Sequence, residues 1–104
     1  MATITIDAGV CGFKTVIHAH SEDGQHVDLE FESACPHVMM AQEQLKRVDA
    51  FDELAKKLHE TTVHQVLSKH LPHLACPLST GVFKAIEVAA GLALPKDVII
   101  RVEA

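Results

Sequence analysis

The chain has 104 residues, 48% of them hydrophobic, and this length and composition predict a single globular domain over residues 1–104. The formal net charge of −5 disfavours nucleic acid as a partner, because no basic stripe is available to follow a phosphate backbone. No run of about 18 apolar residues could span a membrane and no basic leader precedes an apolar stretch, so we expect a soluble cytoplasmic protein without a membrane partner.

The first third of the chain is predicted to form strands. Residues 3–7 alternate between polar and apolar side chains, as a half-buried strand does, and two glycines then interrupt the pattern. Residues 14–21 and 26–33 flank the sequence Glu-Asp-Gly at 22–24, which suits a hairpin with a three-residue loop. We therefore expect an N-terminal strand followed by a hairpin.

The expected hairpin register gives the two strands one apolar face and one polar face. It pairs Ile17 with Leu29 on the apolar face. The polar face carries His18 and His20, which could chelate a metal weakly. Because a half-buried antiparallel sheet needs a solvated face, we interpret these histidines as surface residues.

From Pro36 onward the hydrophobic period changes to that of helices. A first helical stripe runs from Pro36 to Val48, and further helices are predicted after an Asp49 cap, over residues 62–70 and over residues 77–90. The β-branched run at 98–102 is then predicted to return to the sheet as its final strand. Together these elements predict an α+β fold, with a small, mainly antiparallel sheet packed by three to four helices.

The three cysteines stand where the chain is expected to turn. Their local sequences are Cys11-Gly12, Cys35-Pro36 and Cys76-Pro77. Proline is favoured in the first turn of a helix, where backbone N–H groups and the helix dipole favour a thiolate on a neighbouring cysteine. Gly12 predicts a tight bend or a close approach of the backbone to a bound group. An odd cysteine count disfavours a disulfide framework and leaves metal binding, redox chemistry or burial.

Thiolates are soft ligands suited to zinc or an iron–sulfur cluster, and a closed tetrahedral site needs four donors. With three cysteines, the fourth position falls to a histidine, a water, a substrate or a bridging sulfide. His37 and His73 are the best histidine candidates, since each lies within a few residues of a cysteine in the turn regions. Neither produces a Cys-x-x-Cys spacing.

The order of these motifs resembles the U-type iron–sulfur cluster assembly scaffolds, the NifU N-terminal family. A cysteine–glycine turn precedes a hairpin, a second cysteine lies between the hairpin and a helix, and a third opens the last helix. The resemblance covers residues 10–90 and implies that Cys11, Cys35 and Cys76 are cluster ligands. It also implies protein partners of the cysteine desulfurase or cluster-accepting kind.

Three features depart from the scaffold pattern. The small-residue, glycine-rich context usual at the second cysteine is replaced here by Ala34-Cys35-Pro36-His37. Phe13 stands where the family has an acidic residue that helps to make the cluster labile, and Ala75 stands where many members have a histidine. A bound cluster is therefore predicted to be held differently. The chain also resembles a small uncharacterised family of anaerobic bacteria and archaea that keeps Cys-Gly-Phe, Ser-x-Cys and Cys-Pro motifs, a resemblance that implies no activity.

The preferred hypothesis is a non-catalytic domain that binds zinc or an iron–sulfur cluster, as a scaffold or a carrier, through three cysteines that converge at one end of the small sheet. Two alternatives stay open: a protein-interaction or structural module with buried free cysteines, and a thiol-dependent enzyme. Ligands of a shared metal must converge, cysteines dispersed through the core would contradict metal binding, and an enzyme should expose one thiolate in a substrate-sized pocket. The sequence leaves the oligomeric state open.

Overall fold

The computed structural model describes residues 1–104 and contains one four-stranded antiparallel sheet and four α-helices. The strands, which lie side by side in chain order, are β1 (Ala2–Asp7), β2 (Lys14–His20), β3 (His26–Ser33) and β4 (Arg47–Asp49). The helices are α1 (Pro36–Gln42), α2 (Ala50–Ala55), α3 (Thr62–His70) and α4 (Leu78–Ala89). The predicted α+β class is confirmed. None of these helices has the length and apolar character needed to cross a membrane.

The core lies between one face of the sheet and the helices α1, α3 and α4. Strands β2 and β3 direct alternate apolar side chains into it, as the two-residue period of a strand requires. Gly81 allows α4 to pack closely on β1, because a methyl group at this position would lie 2.1 Å from Cδ1 of Ile6. The last helix is therefore fixed over the first strand.

The β2–β3 hairpin has the predicted faces but not the predicted register. Ile17 lies opposite Phe31 instead of Leu29, which is a displacement of two residues. A shift of two keeps every side chain on its predicted face, whereas a shift of one would have exchanged the faces. His18 and His20 accordingly lie on the polar face, with His18 opposite Glu30.

The hairpin loop is longer than predicted and comprises residues 21–25. Asp23 organises it: Oδ1 accepts hydrogen bonds from the backbone N–H groups of Gln25 (2.9 Å) and His26 (2.8 Å). Oδ2 lies 2.7 Å from Nδ1 of the His26 ring. These contacts satisfy backbone groups that a shorter loop would have paired across the strands.

The prediction of one helical stripe from Pro36 to Val48 is wrong in its second half. Helix α1 ends at Gln42, and Val48 lies in the short strand β4. The Gln42 side chain, which is buried, accepts the N–H of Phe31 and donates to the carbonyl oxygens of Leu29 (3.2 Å) and Leu45 (3.1 Å). It thereby supplies hydrogen bonds to β3 beyond the short pairing with β4.

The predicted helix starts after residue 49 and near residue 62 are confirmed. Asp49 caps α2 by accepting the backbone N–H of Asp52 at 3.1 Å. Thr61 caps α3 by accepting the N–H of His64, also at 3.1 Å. The buried carboxylate of Glu53 adds a second cap to α3.

The predicted C-terminal strand is wrong. Residues 98–102 form no strand, and the fourth strand of the sheet is β4. Helix α4 ends at Ala89, close to the predicted end, and the chain beyond it is exposed. High strand propensity alone does not make a strand, because the segment must also pair with a neighbouring strand, and residues 98–102 pair with none in their own chain.

Candidate functional site

A cavity of about 280 Å³ lies at the end of the sheet where β1 ends and β2 begins. Cys11, Cys35 and Cys76 all line this cavity, and so do His37 and His73. The structure thus brings together all five metal-ligand candidates. Apolar side chains form most of the remaining wall.

Antiparallel pairing explains why two of the cysteines meet. Asp7 lies opposite Lys14, and Thr15 lies opposite Ser33. The end of β1, the start of β2 and the end of β3 therefore lie together at one end of the sheet. Cys11 belongs to the turn between β1 and β2, and Cys35 lies two residues after the end of β3. The sequence separation of the two residues therefore gives no indication of their proximity.

Cys76 reaches the same cavity with the N-terminal end of α4. Gly81 holds the first turns of this helix against Ile6, which is itself a wall residue of the cavity. The backbone N–H of Cys76 donates to the carbonyl of His73 at 3.3 Å, so both residues belong to one turn. Pro77 precedes α4 directly, while the helix itself begins at Leu78, one residue later than predicted.

Gly12 ends the turn that carries Cys11. Its φ is +74°, and its N–H donates to the carbonyl of Gly9 at 2.9 Å. A Cβ at Gly12 would meet no atom within 4 Å, so this left-handed backbone, rather than crowding by the chain, accounts for the glycine. Asp7 steadies the start of the same turn by accepting the N–H of Gly9 at 3.1 Å.

Cys35 is the N-cap residue of α1, and Pro36 occupies the first turn of that helix, as predicted. The N–H of Cys35 donates to Oγ of Ser33 at 3.1 Å, and the Thr15 hydroxyl also donates to that oxygen, at 3.0 Å. Sequence reasoning missed this pair of hydroxyls. A signal was present, since Thr15 is a polar residue on the otherwise apolar inward face of β2.

The three thiols are free, and none of them is fully buried. Cys11 is exposed, whereas Cys35 and Cys76 are half-buried against the edge of the core. The cysteines are therefore not dispersed through the core. Dispersed cysteines would have contradicted the binding of one shared metal. Phe13 also lines the cavity and is 38% exposed.

The donor side chains surround the cavity instead of meeting at one point. No group of three or more histidine, cysteine, aspartate or glutamate side chains is arranged to hold a metal ion. The same holds on the polar face of the sheet, where His18 pairs with Glu32 at 3.4 Å and His20 with Glu22 at 3.8 Å. The five candidate ligands thus line one cavity, but no three of them are placed to hold a single ion.

The fold and the site together define a small α+β domain with a cysteine-lined cavity at one end of its sheet. Residues 2–102 match a family of unknown function (DUF6951), and the chain belongs to that family. No curated protein and no solved structure matches the chain. The relationship to the U-type scaffolds stays a prediction from motif order.

Proposed function

We propose that the cavity binds an iron–sulfur cluster through Cys11, Cys35 and Cys76. The observation that carries the proposal is that thiols from three separate segments line one cavity. In this role the domain is non-catalytic and acts as a cytoplasmic scaffold or carrier. Its partners would be a cysteine desulfurase-like protein that supplies sulfur and a protein that accepts the cluster.

A cluster and a single zinc ion make different demands on their thiolate ligands. In a tetrahedral zinc site every sulfur lies ~2.3 Å from one ion, which requires the sulfurs to be ~4 Å apart. A cluster distributes its thiolates over several iron atoms and contributes its own sulfides. Thiols from three segments that line one cavity therefore fit the cluster, whose iron atoms can each take a different thiolate.

A histidine completes the ligand set in this proposal, because imidazole can replace thiolate as a ligand of cluster iron. His73 is the first choice, since it shares a turn with Cys76, and His37 is the second. Both side chains are exposed and can reorient toward the cavity. The apolar wall would limit the access of water, which is one way in which proteins tune a cluster.

Anaerobic purification followed by analysis of iron, zinc and acid-labile sulfide tests the proposal. We expect the wild type to carry iron and sulfide in similar amounts. Because Cys35→Ser removes a ligand, its iron and sulfide contents should each be at least about tenfold lower than those of the wild type. His73→Asn should lower the content as well. His59→Asn is the matched control, because His59 is exposed and does not line the cavity.

Two results would contradict a cluster. Metal content near zero in both the wild type and Cys35→Ser, even after reconstitution with iron and sulfide, would refute binding at this cavity. Zinc without sulfide, lost in Cys35→Ser, would show a single-ion site that forms by local rearrangement.

A thiol-dependent enzyme is the second candidate, and one observation favours it. Cys11 is an exposed thiol at a cavity of about 280 Å³, close to the ~300 Å³ at which small-molecule sites begin. In an enzyme of this kind the thiolate of one cysteine reacts faster than that of an ordinary thiol. Alkylation of Cys11 in the folded, metal-free protein far faster than in the unfolded chain at the same pH would favour this function over cluster binding, because exposure alone cannot produce that difference.

A further inference from the structure

The last eleven residues carry an unpaired apolar segment, residues 94–104, which we call the tail. No residue after Leu92 takes part in a backbone or side-chain hydrogen bond or an ion pair of the structure. Its apolar side chains are largely exposed, among them Leu94 at 82% and Ile100 at 77%. A contiguous exposed apolar segment of this kind marks an interaction site.

The tail has the pattern of a strand with one apolar face. Val98, Ile100 and Val102 alternate with Ile99 and Arg101, so an extended backbone places three β-branched side chains on one side. The opposite side is mostly polar. This segment is therefore built to lie on a sheet, although it makes no pair within its own chain.

The sheet has one long edge available to such a segment. Strand β1 has six residues, pairs only with β2, and contains neither lysine nor proline to block an incoming strand. Its inward side chains Ile4 and Ile6 are only half-buried, whereas Ile17 beside them on β2 is completely buried. The apolar layer of the core thus extends to an edge that lacks one more strand.

The opposite edge of the sheet offers much less. Strand β4 has three residues and includes Arg47, which pairs with Asp28 at 2.9 Å. Short and charged edges resist the addition of strands. The long open edge of β1 and the free tail are consequently the two unpaired surfaces that match each other in length and in polarity.

We infer that the chain forms a two-fold dimer in which the tail of each copy adds to the outer edge of β1 in the other. Val98, Ile100 and Val102 then cover the half-buried Ile4 and Ile6 of the partner copy. Reciprocal exchange satisfies both unpaired surfaces of both copies and closes the assembly at two chains. The single chain leaves both surfaces open, which favours a second copy over its own edge as the occupant.

The dimer surface and the cavity share the wall residue Ile6 but otherwise use different parts of the chain. Helix α4 ends beside the hairpin loop, since a Cβ on Gly24 would lie 3.6 Å from the carbonyl oxygen of Ala90. The tail therefore leaves the domain at the end of the sheet opposite the cysteines. The inference does not depend on what the cavity binds.

Light scattering and sedimentation of the 104-residue chain test this inference. We expect the wild type to have twice the mass of one chain and Ile100→Lys to have the mass of one, because a charge would then face the apolar layer of the partner. Ile99→Lys is the matched control: the same substitution, on a residue of similar exposure (66%), points to the polar side and should leave the dimer intact. Both positions are exposed, so the domain should fold in each variant.

Amide hydrogen exchange on the same samples identifies the pairing. Protection of residues 98–102 in the wild type and its loss in Ile100→Lys would support strand addition. A monomeric wild type with an unprotected tail would overturn the inference. A monomeric wild type with a protected tail would also overturn it, because the tail would then pair with β1 of its own chain. A dimer that persists in Ile100→Lys would overturn it as well, because the interface would then lie elsewhere.

Discussion

At the scale of single residues, Gln42 joins the sheet to the helices. Its buried amide replaces a missing strand partner by accepting the N–H of Phe31 and donating to the carbonyls of Leu29 and Leu45. Removing one partner of a buried hydrogen bond costs more than the bond itself contributes, because the other group is left without water. The stability of this region should therefore depend strongly on one amide.

We predict that Gln42→Leu lowers the free energy of unfolding by at least about 2 kcal/mol, since it conserves volume but leaves buried backbone groups unpaired. Urea denaturation measures the change. Gln44→Leu is the control, because Gln44 is exposed and the same substitution there should change stability by less than about 0.5 kcal/mol. Equal losses in the two variants would contradict this role for Gln42.

The convergence of the three cysteines was expected as a condition of shared ligation, but the local sequence does not show how it arises. The neighbouring residues Gly12, Pro36 and Pro77 indicate turns and helix starts. They describe only the local backbone and not which segments meet. The convergence on one cavity depends on strand register and on the contact between Gly81 and Ile6, which join residues far apart in the sequence. No spacing rule contains that information.

At the scale of elements, the β2–β3 hairpin depends on the ionised carboxylate of Asp23. The His26 ring, as a hydrogen-bond donor, is the main reason that the pKa of Asp23 lies below its ordinary value of 3.8, and the backbone N–H groups of Gln25 and His26 add to the effect. A carboxyl group whose pKa is lowered by folding stabilises the fold above its unfolded pKa. That contribution is lost as the pH falls through the lowered value.

We predict that the wild type loses stability as the pH falls from 5 toward 2 and that Asp23→Asn loses less over the same range, because its amide cannot be protonated there. Thermal unfolding midpoints at a series of pH values measure the difference. Asp97→Asn provides the control, since Asp97 lies in the unpaired tail and makes no hydrogen bond. A pH dependence of Asp23→Asn that is as steep as that of the wild type would refute the prediction.

Two elements were assigned wrongly for physical reasons. Val48 falls at a helical spacing from Leu45, yet α1 stops at Gln42 and the chain extends into β4. The apolar period cannot distinguish one long helix from a helix followed by a short strand. The run at 98–102 has the composition of a strand, but within one chain it has no partner. Helices α3 and α4 were predicted well because each has a clear apolar period and a proline at one boundary, Pro72 after α3 and Pro77 before α4.

At the scale of the whole molecule, the sheet separates two regions. The cysteine-lined cavity lies at the end where β1 finishes, and the tail departs from the end where the β2–β3 loop lies. The match to the DUF6951 family covers residues 2–102 and so includes both the cavity and most of the tail.

Alkylation resolved for each cysteine by mass spectrometry tests the central claim most directly, namely that the three thiols serve one ligand at one cavity. The protein is treated with iodoacetamide before and after anaerobic reconstitution with iron and sulfide. We predict that Cys11, Cys35 and Cys76 all react in the metal-free protein and become protected together, in proportion to the iron bound. Protection of one cysteine alone, or unchanged reactivity of all three in an iron-loaded sample, would contradict the account.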